Sequence, residues 1–240
     1  YPLHVTADTP VAHSGDEPLL IALRTAVPVV VAPGRVAAAR ALLASHTVDV
    51  LVADDGLQHY RLARDLEIVV IDGRRGLGNG ALLPAGPLRE APERLDQLPL
   101  VVVNGGPCAL RHPGRIDMQL QPSAVVALAG GEQQQALAAW RGRRVHAVAG
   151  IGNPQRFFEL LREHGLDPIE HPYSDHHRYR AGSLDFADTL PVLMTEKDAV
   201  KYRGWATGRH FLLPVEARLD AAATALVEQS LDRLFSLETY

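Results

Sequence analysis

The chain has 240 residues, 47% of them hydrophobic and 22% charged, which is enough apolar material to bury a core and excludes general disorder. A formal net charge of -4 excludes a basic nucleic-acid footprint, and a single cysteine, Cys108, excludes an internal disulfide. There is no run of about 18 apolar residues, and the opening Tyr1-Pro2-Leu3-His4 is neither a basic leader nor an initiator methionine.

Taken in chain order, Ser14-Gly15-Asp16-Glu17-Pro18 reads as a turn that sets carboxylates before a helical stretch, residues 19–25. Asp16 is open to two readings there, a helix-start acid or an acceptor for a hydroxyl proton. Residues 27–31 form a β-branched run predicted as a strand, and Arg35–Ser45 is an alanine- and leucine-rich helix. Residues 48–53 and 66–71 are predicted as strands that stop at Asp54-Asp55-Gly56 and at Asp72-Gly73. Short apolar strands of this kind fit a buried parallel sheet, whose ligands lie beyond the carboxyl ends of the strands. A strand-end aspartate pair is how phosphoryl-transfer enzymes hold Mg²⁺, and Gln58 and His59 follow closely. A cap or a turn is the plainer alternative.

Residues 73–86 carry five glycines and a proline, too many for an element interior, and are predicted as an ordered loop with amides free to face anions. Residues 88–95 are then read as a short helix. At its start Arg89 offers a planar fork to phosphate and Glu90 an oxygen to a hard cation, although a tight loop with a surface ion pair fits as well. Further strands are expected at residues 100–103, around Ile116 and around Val125. The basic stretch Arg141 to Arg144 suggests a domain boundary, with residues 1–144 as the larger domain and 145–240 as a smaller α/β domain.

The second part opens with a strand, residues 145–149, and then Gly150-Ile151-Gly152-Asn153-Pro154. Gln155 occupies the third glycine position of a dinucleotide fingerprint, so that motif is rejected in favour of a compact turn. Asn153 and Pro154 start a helix, Phe157, Phe158 and Leu161 share its apolar face, and Gly165 ends it. The histidine-rich residues 171–179 include Asp175-His176-His177, which is open to three readings: a catalytic histidine, a metal cluster or a solvated loop. Strands are expected at residues 192–195 and 211–215, and an amphipathic helix at 221–234. The only lysines, Lys197 and Lys201, follow Glu196 and Val200, so a G-x-x-x-x-G-K-[ST] loop is absent from the sequence.

Several of these segments together resemble one family. Asp54 through Tyr60, Arg64 through Gly73, Gly78-Asn79-Gly80 and Leu83 through Glu90 read as the long signature of the tetraacyldisaccharide 4'-kinases. Ser14 through Pro18, Arg35, Asp175-His176-His177 and Thr195 through Lys201 match that family in order and at similar spacing. The resemblance implies a P-loop-like α/β fold, a mostly parallel sheet flanked by helices with a second, smaller α/β domain. It also implies ATP-dependent phosphorylation of the 4'-hydroxyl of a lipid A disaccharide 1-phosphate, with ATP and Mg²⁺ as cofactors, at the cytoplasmic face of the inner membrane of a Gram-negative bacterium.

By that likeness Asp16 is the base, supported by a histidine of the 175–177 loop, His177 foremost and His176 beside it. Asp55 holds Mg²⁺, with Asp54, Gln58, His59 and Glu90 around metal and phosphates, and Arg35 and Arg89 neutralise phosphate charge. The family's glycine-rich lysine loop and its membrane helix are expected before Tyr1, so residues 1–240 alone are expected to be inactive. Two other readings stand beside this one. One is a non-catalytic phosphate- or lipid-binding module using Arg35, Arg74, Arg75 and Arg89; the other is a metal-dependent hydrolase using Asp54, Asp55 and the Asp175-His176-His177 loop.

Overall fold

The computed structural model describes residues 1–131 and 133–237. Its helices are α1 (Val11–Ser14), α2 (Asp16–Thr25), α3 (Arg35–Ser45), α4 (Pro154–Glu163), α5 (Glu196–Tyr202) and α6 (Ala221–Leu237). The first six strands are β1 (Leu3–Val5), β2 (Val29–Val31), β3 (Ile68–Asp72), β4 (Leu100–Asn104), β5 (Arg115–Pro122) and β6 (Val125–Ala127). The remaining six are β7 (Gln134–Gln135), β8 (Arg144–Ala149), β9 (Asp167–Pro172), β10 (Val192–Thr195), β11 (His210–Leu213) and β12 (Val215–Leu219). The class is α/β with parallel strands flanked by helices, as the sequence implied.

The chain divides into two compact units, Tyr1–Ala53 with Pro122–Val215, and Asp54–Gln121 with Glu216–Tyr240. It parts at Asp54, Pro122 and Glu216 and not at the expected break near Val145. The basic stretch before Val145 leads straight into β8, a strand with neighbours on both sides, so no linker exists there.

The first unit is built on a six-stranded sheet in the order β7-β6-β11-β10-β8-β9. β11, β10, β8 and β9 run parallel, and β6 joins them antiparallel. Side chains alternate across β8 as strand geometry requires. Val145, Ala147 and Ala149 pack with Trp140, Phe158 and Leu161 on one face, while Val148 packs with Tyr179, Met194 and Tyr202 on the other. α4 follows the expected pattern, burying Phe157, Phe158 and Leu161, with Pro154 in its first turn. β1 and β2 form a separate antiparallel pair, and α2 packs on α5.

The second unit holds a four-stranded sheet in the order β12-β5-β4-β3, with β3, β4 and β5 parallel. Leu100, Val102 and Ile116 pack against Ala223 and Leu226 of α6. At the ends of β3 and β4 a Cβ on Gly73 would lie 1.6 Å from the Gly105 carbonyl oxygen, so only glycine fits there.

Several local expectations fail for identifiable reasons. Residues 48–53 form no strand; they run as exposed chain, with Val52 93% accessible, because no neighbouring strand supplies a ladder. Residues 88–91 are not helical, since Ala91 precedes Pro92 and is held extended (φ -65°, ψ 147°); a 3₁₀ turn begins only at Pro92–Gln97. His171 belongs to β9 instead of a loop. Among the described residues no helix is long and apolar enough to cross a membrane.

Candidate active site

In the first unit a cavity of about 360 Å³ is lined by residues of the α1–α2 corner, the 176–179 loop and α5, among them Gly15, Asp16, His176, His177, Tyr179 and Lys201. Gly15 makes the corner with φ +89°, a backbone conformation closed to most L residues, and so delivers Asp16 to the first position of α2. Asp16 is 5% exposed. Its Oδ1 accepts the Glu17 N–H at 3.0 Å, and the positive end of the ten-residue helix favours the anion.

The partner of this aspartate comes from the 175–177 loop. Asp175 Oδ1 accepts the backbone N–H of His176, and His176 itself sits in the left-handed region at φ +57°. That turn brings His176 Nδ1 to 3.2 Å from both Asp16 oxygens. An ionised carboxylate only accepts, so Nδ1 carries the proton and donates. His176, not His177, therefore reaches Asp16. His177 also lines the cavity, but its ring rests 4.5 Å from that of Tyr173 and 4.8 Å from that of Tyr179.

Helix α5 braces the loop from below. Lys197 Nζ donates to Glu17 Oε1 at 2.8 Å and to Asp175 Oδ1 at 3.0 Å, tying the residue after Asp16 to the residue before His176. Burial opposes ionisation of Asp175, but the Lys197 hydrogen bond and charge outweigh it and hold its carboxyl below the ordinary value. Asp198 is fully buried and accepts from Gly150 N–H, Tyr179 O–H and Thr195 O–H at 2.8, 2.9 and 2.6 Å. It thereby joins the carboxyl ends of β8 and β10, where parallel sheets present their ligand sites. Burial, with the charge of Asp198, pushes the Tyr179 phenol far up, so it remains a donor. Of these residues the sequence flagged the 195–201 motif without roles; the signal available was that both lysines of the chain fall within it.

In the second unit the Asp54-Asp55-Gly56 turn follows exposed chain, and Asp55 has φ +47°. Arg89 grips both Asp55 oxygens, with Nη1 to Oδ2 at 3.1 Å. Glu90 accepts from Tyr60 O–H at 3.3 Å and lies 3.4 Å from Arg94 Nε. The glycine-rich loop is closed on itself: Asn79 accepts from Ala81 N–H and donates to the Ala85 carbonyl. Gln58 and His59 are half-buried in the turn after Asp55, where the His59 N–H donates to the Gly56 carbonyl. Arg74 and Arg75 donate backbone N–H groups to Asp72 Oδ1. Arg35 opens α3 in the first unit and is not among the cavity-lining residues.

Among the described residues no three His, Cys, Asp or Glu side chains come together as a metal-binding group, so the 175–177 loop is not a metal cluster in this structure. Asp55 and Glu90 are nevertheless hard oxygen donors of the kind Mg²⁺ takes one or two of, leaving its other positions to water and phosphate.

Residues 1–232 match the family described as tetraacyldisaccharide-1-P 4'-kinase. Among curated proteins, the tetraacyldisaccharide 4'-kinase of Pseudomonas entomophila is 50% identical over 98% of this chain and 69% of its own length. That of Alkalilimnicola ehrlichii is 52% identical over 99% of this chain and 70% of its own. Among solved structures, the apo form of LpxK from Aquifex aeolicus in complex with ATP superposes with a TM-score of 0.75 at 24% identity. That match covers 98% of this chain and 75% of the other, and supports the fold.

Proposed function

The chain belongs to the tetraacyldisaccharide-1-phosphate 4'-kinase family, and on that footing we propose that it transfers the γ-phosphate of ATP to the 4'-hydroxyl of a lipid A disaccharide 1-phosphate. The observation that carries the proposal is the Asp16–His176 pair at an open cavity. Asp16 takes the proton of the acceptor hydroxyl as that oxygen forms its bond to the γ-phosphorus and the bond to the leaving ADP oxygen breaks. His176 holds and orients the carboxylate through Nδ1–H, and the cavity that Asp16 faces leaves the accepted proton a route to solvent.

In the second unit Asp55 and Glu90 are the carboxylates that would hold the Mg²⁺ that accompanies ATP, and the ion would neutralise charge on the phosphates. Arg89 is the cation available to phosphate once it releases Asp55. Asp54, Gln58 and His59 complete this polar turn. The acceptor is a lipid, so the reaction takes place at a membrane surface, on the cytoplasmic face where ATP is found. Residues 1–240 contain no glycine-lysine phosphate loop, and because phosphoryl transfer depends on cradling the triphosphate, the transfer proposed is that of a kinase carrying such a loop, and residues 1–240 assayed alone are expected to give none.

The test is to incubate the intact kinase with ATP labelled in its γ-phosphate and tetraacyldisaccharide 1-phosphate. Label should appear on the 4' oxygen of the lipid only when both substrates are present. Release of labelled inorganic phosphate with no labelled lipid would overturn the proposal in favour of hydrolysis.

A further inference from the structure

The two lysines of this chain lie one turn apart on α5, and every other fixed cation is arginine. Lys197 has an evident task, bridging Glu17 and Asp175 at the surface. Lys201 is different. Its side chain is 6% exposed, and its ammonium lies 2.8 Å from Asp198 Oδ1, 3.8 Å from Asp16 Oδ2 and 5.4 Å from the centre of the Tyr179 ring. None of these contacts has the alignment of a hydrogen bond, so charge attraction holds the group in place. A buried ammonium is costly unless paired, and here two carboxylates offset the cost.

The geometry makes the two carboxylates unequal. Asp198 is fixed by three donors from the turn after β8, the end of β10 and the 176–179 loop, so its contact with Lys201 anchors the ammonium to a rigid point. Asp16 faces the cavity and is gripped from three sides: by its own helix through Glu17 N–H, by the loop through His176, and by α5 through Lys201. Two carboxylates against one ammonium leave a single negative charge in the cluster. Asp198, being sealed and closer to the cation, absorbs most of the Lys201 charge.

We propose that Lys201 is a positioning residue for phosphoryl transfer: its ammonium, anchored by Asp198, orients the Asp16 carboxylate toward the cavity while leaving it the charge with which to accept a proton. The proposal rests on Asp16 being the base of the reaction. It goes beyond the Asp16–His176 pair by making α5, through a mostly buried residue at the cavity wall, part of the catalytic apparatus. Lysine suits the position because a compact ammonium on a flexible stem can sit between two carboxylates where a planar guanidinium would demand bidentate geometry with one.

The test uses steady-state kinetics of the intact kinase carrying Lys201→Met, Asp16→Asn or both, with thermal melts alongside. Lys201→Met should lower kcat about a hundred-fold, the scale of a misplaced catalytic group. The KM values for ATP and lipid should stay within about threefold. In the Asp16→Asn background Lys201→Met should add nothing further, because the base it orients is already gone. A Lys201→Met enzyme with wild-type kcat, or one whose loss recurs in full on top of Asp16→Asn, overturns the inference alone. An Asp16→Asn enzyme with wild-type kcat overturns the base assignment beneath it. If Lys201→Met fails to fold, Lys201→Ala is assayed with added ethylammonium: recovery of rate supports the positioning role, and no recovery rejects it.

Discussion

His146 lies on the buried second face of β8, where a polar ring must find partners. It has two: Nδ1 meets His171 Nε2 at 2.8 Å and Nε2 meets Asp188 Oδ1 at 2.9 Å, with Phe186 stacked on both rings. Burial, followed by the charge of His146, holds the His171 imidazole below its ordinary value of 6.5, and burial does the same at His210. The unfolded chain therefore binds more protons as pH falls through about 6.5, so stability rises with pH across that window and declines on its acid side. The hydrogen bond from His146 depresses Asp188, whose contribution persists above about 3.9 and is lost only on further acidification. His171→Gln should flatten the fall in Tm between about pH 7 and about pH 5, read by thermal melts; an unchanged fall would contradict this. None of this cluster was legible in the sequence, because pairing of β8 with β9 brings His146 and His171 together and Asp188 reaches them from the segment before β10. The expectation put His177 first at Asp16, whereas His176 makes the contact, since the choice depends on the left-handed turn at His176.

At the scale of elements, sequence signals worked where the element carries its own ends. α4 was legible from Asn153, Pro154 and three buried apolar residues, and β8 and β10 from short, mostly apolar runs. They failed where structure depends on a neighbour: residues 48–53 have strand chemistry but no strand to pair with, and the turn at Pro92 displaced the helix expected from residue 88. α5 shows how one cap serves both stability and site. Thr195 Oγ1 accepts the Asp198 N–H at 3.2 Å and donates to Asp198 Oδ2 at 2.6 Å. Thr195→Ala should cost about 1 kcal/mol for the cap and about 1.5–3 kcal/mol more for the lost bond to a buried carboxylate. Thr195→Ser should restore most of this in urea unfolding. A loss under about 0.5 kcal/mol for the alanine variant would show that Asp198 finds another donor.

For the whole molecule, the α/β class and the family were legible from ordered motifs, while the division into units was not. A cut in sequence is found by composition, but both units here are assembled from two separated stretches, so the basic residues before Val145 marked a strand and no border. The kinase assignment depends in the end on the acid that begins α2, set at a glycine corner and held by the His176 ring. Its most direct test is single-turnover transfer from ATP to tetraacyldisaccharide 1-phosphate by the intact kinase, comparing the native protein with Asp16→Asn at saturating nucleotide. Transfer should slow by about 10²–10⁴-fold, the range for loss of a general base, with nucleotide affinity unchanged. A variant that transfers phosphate within about threefold of the native rate would contradict the account.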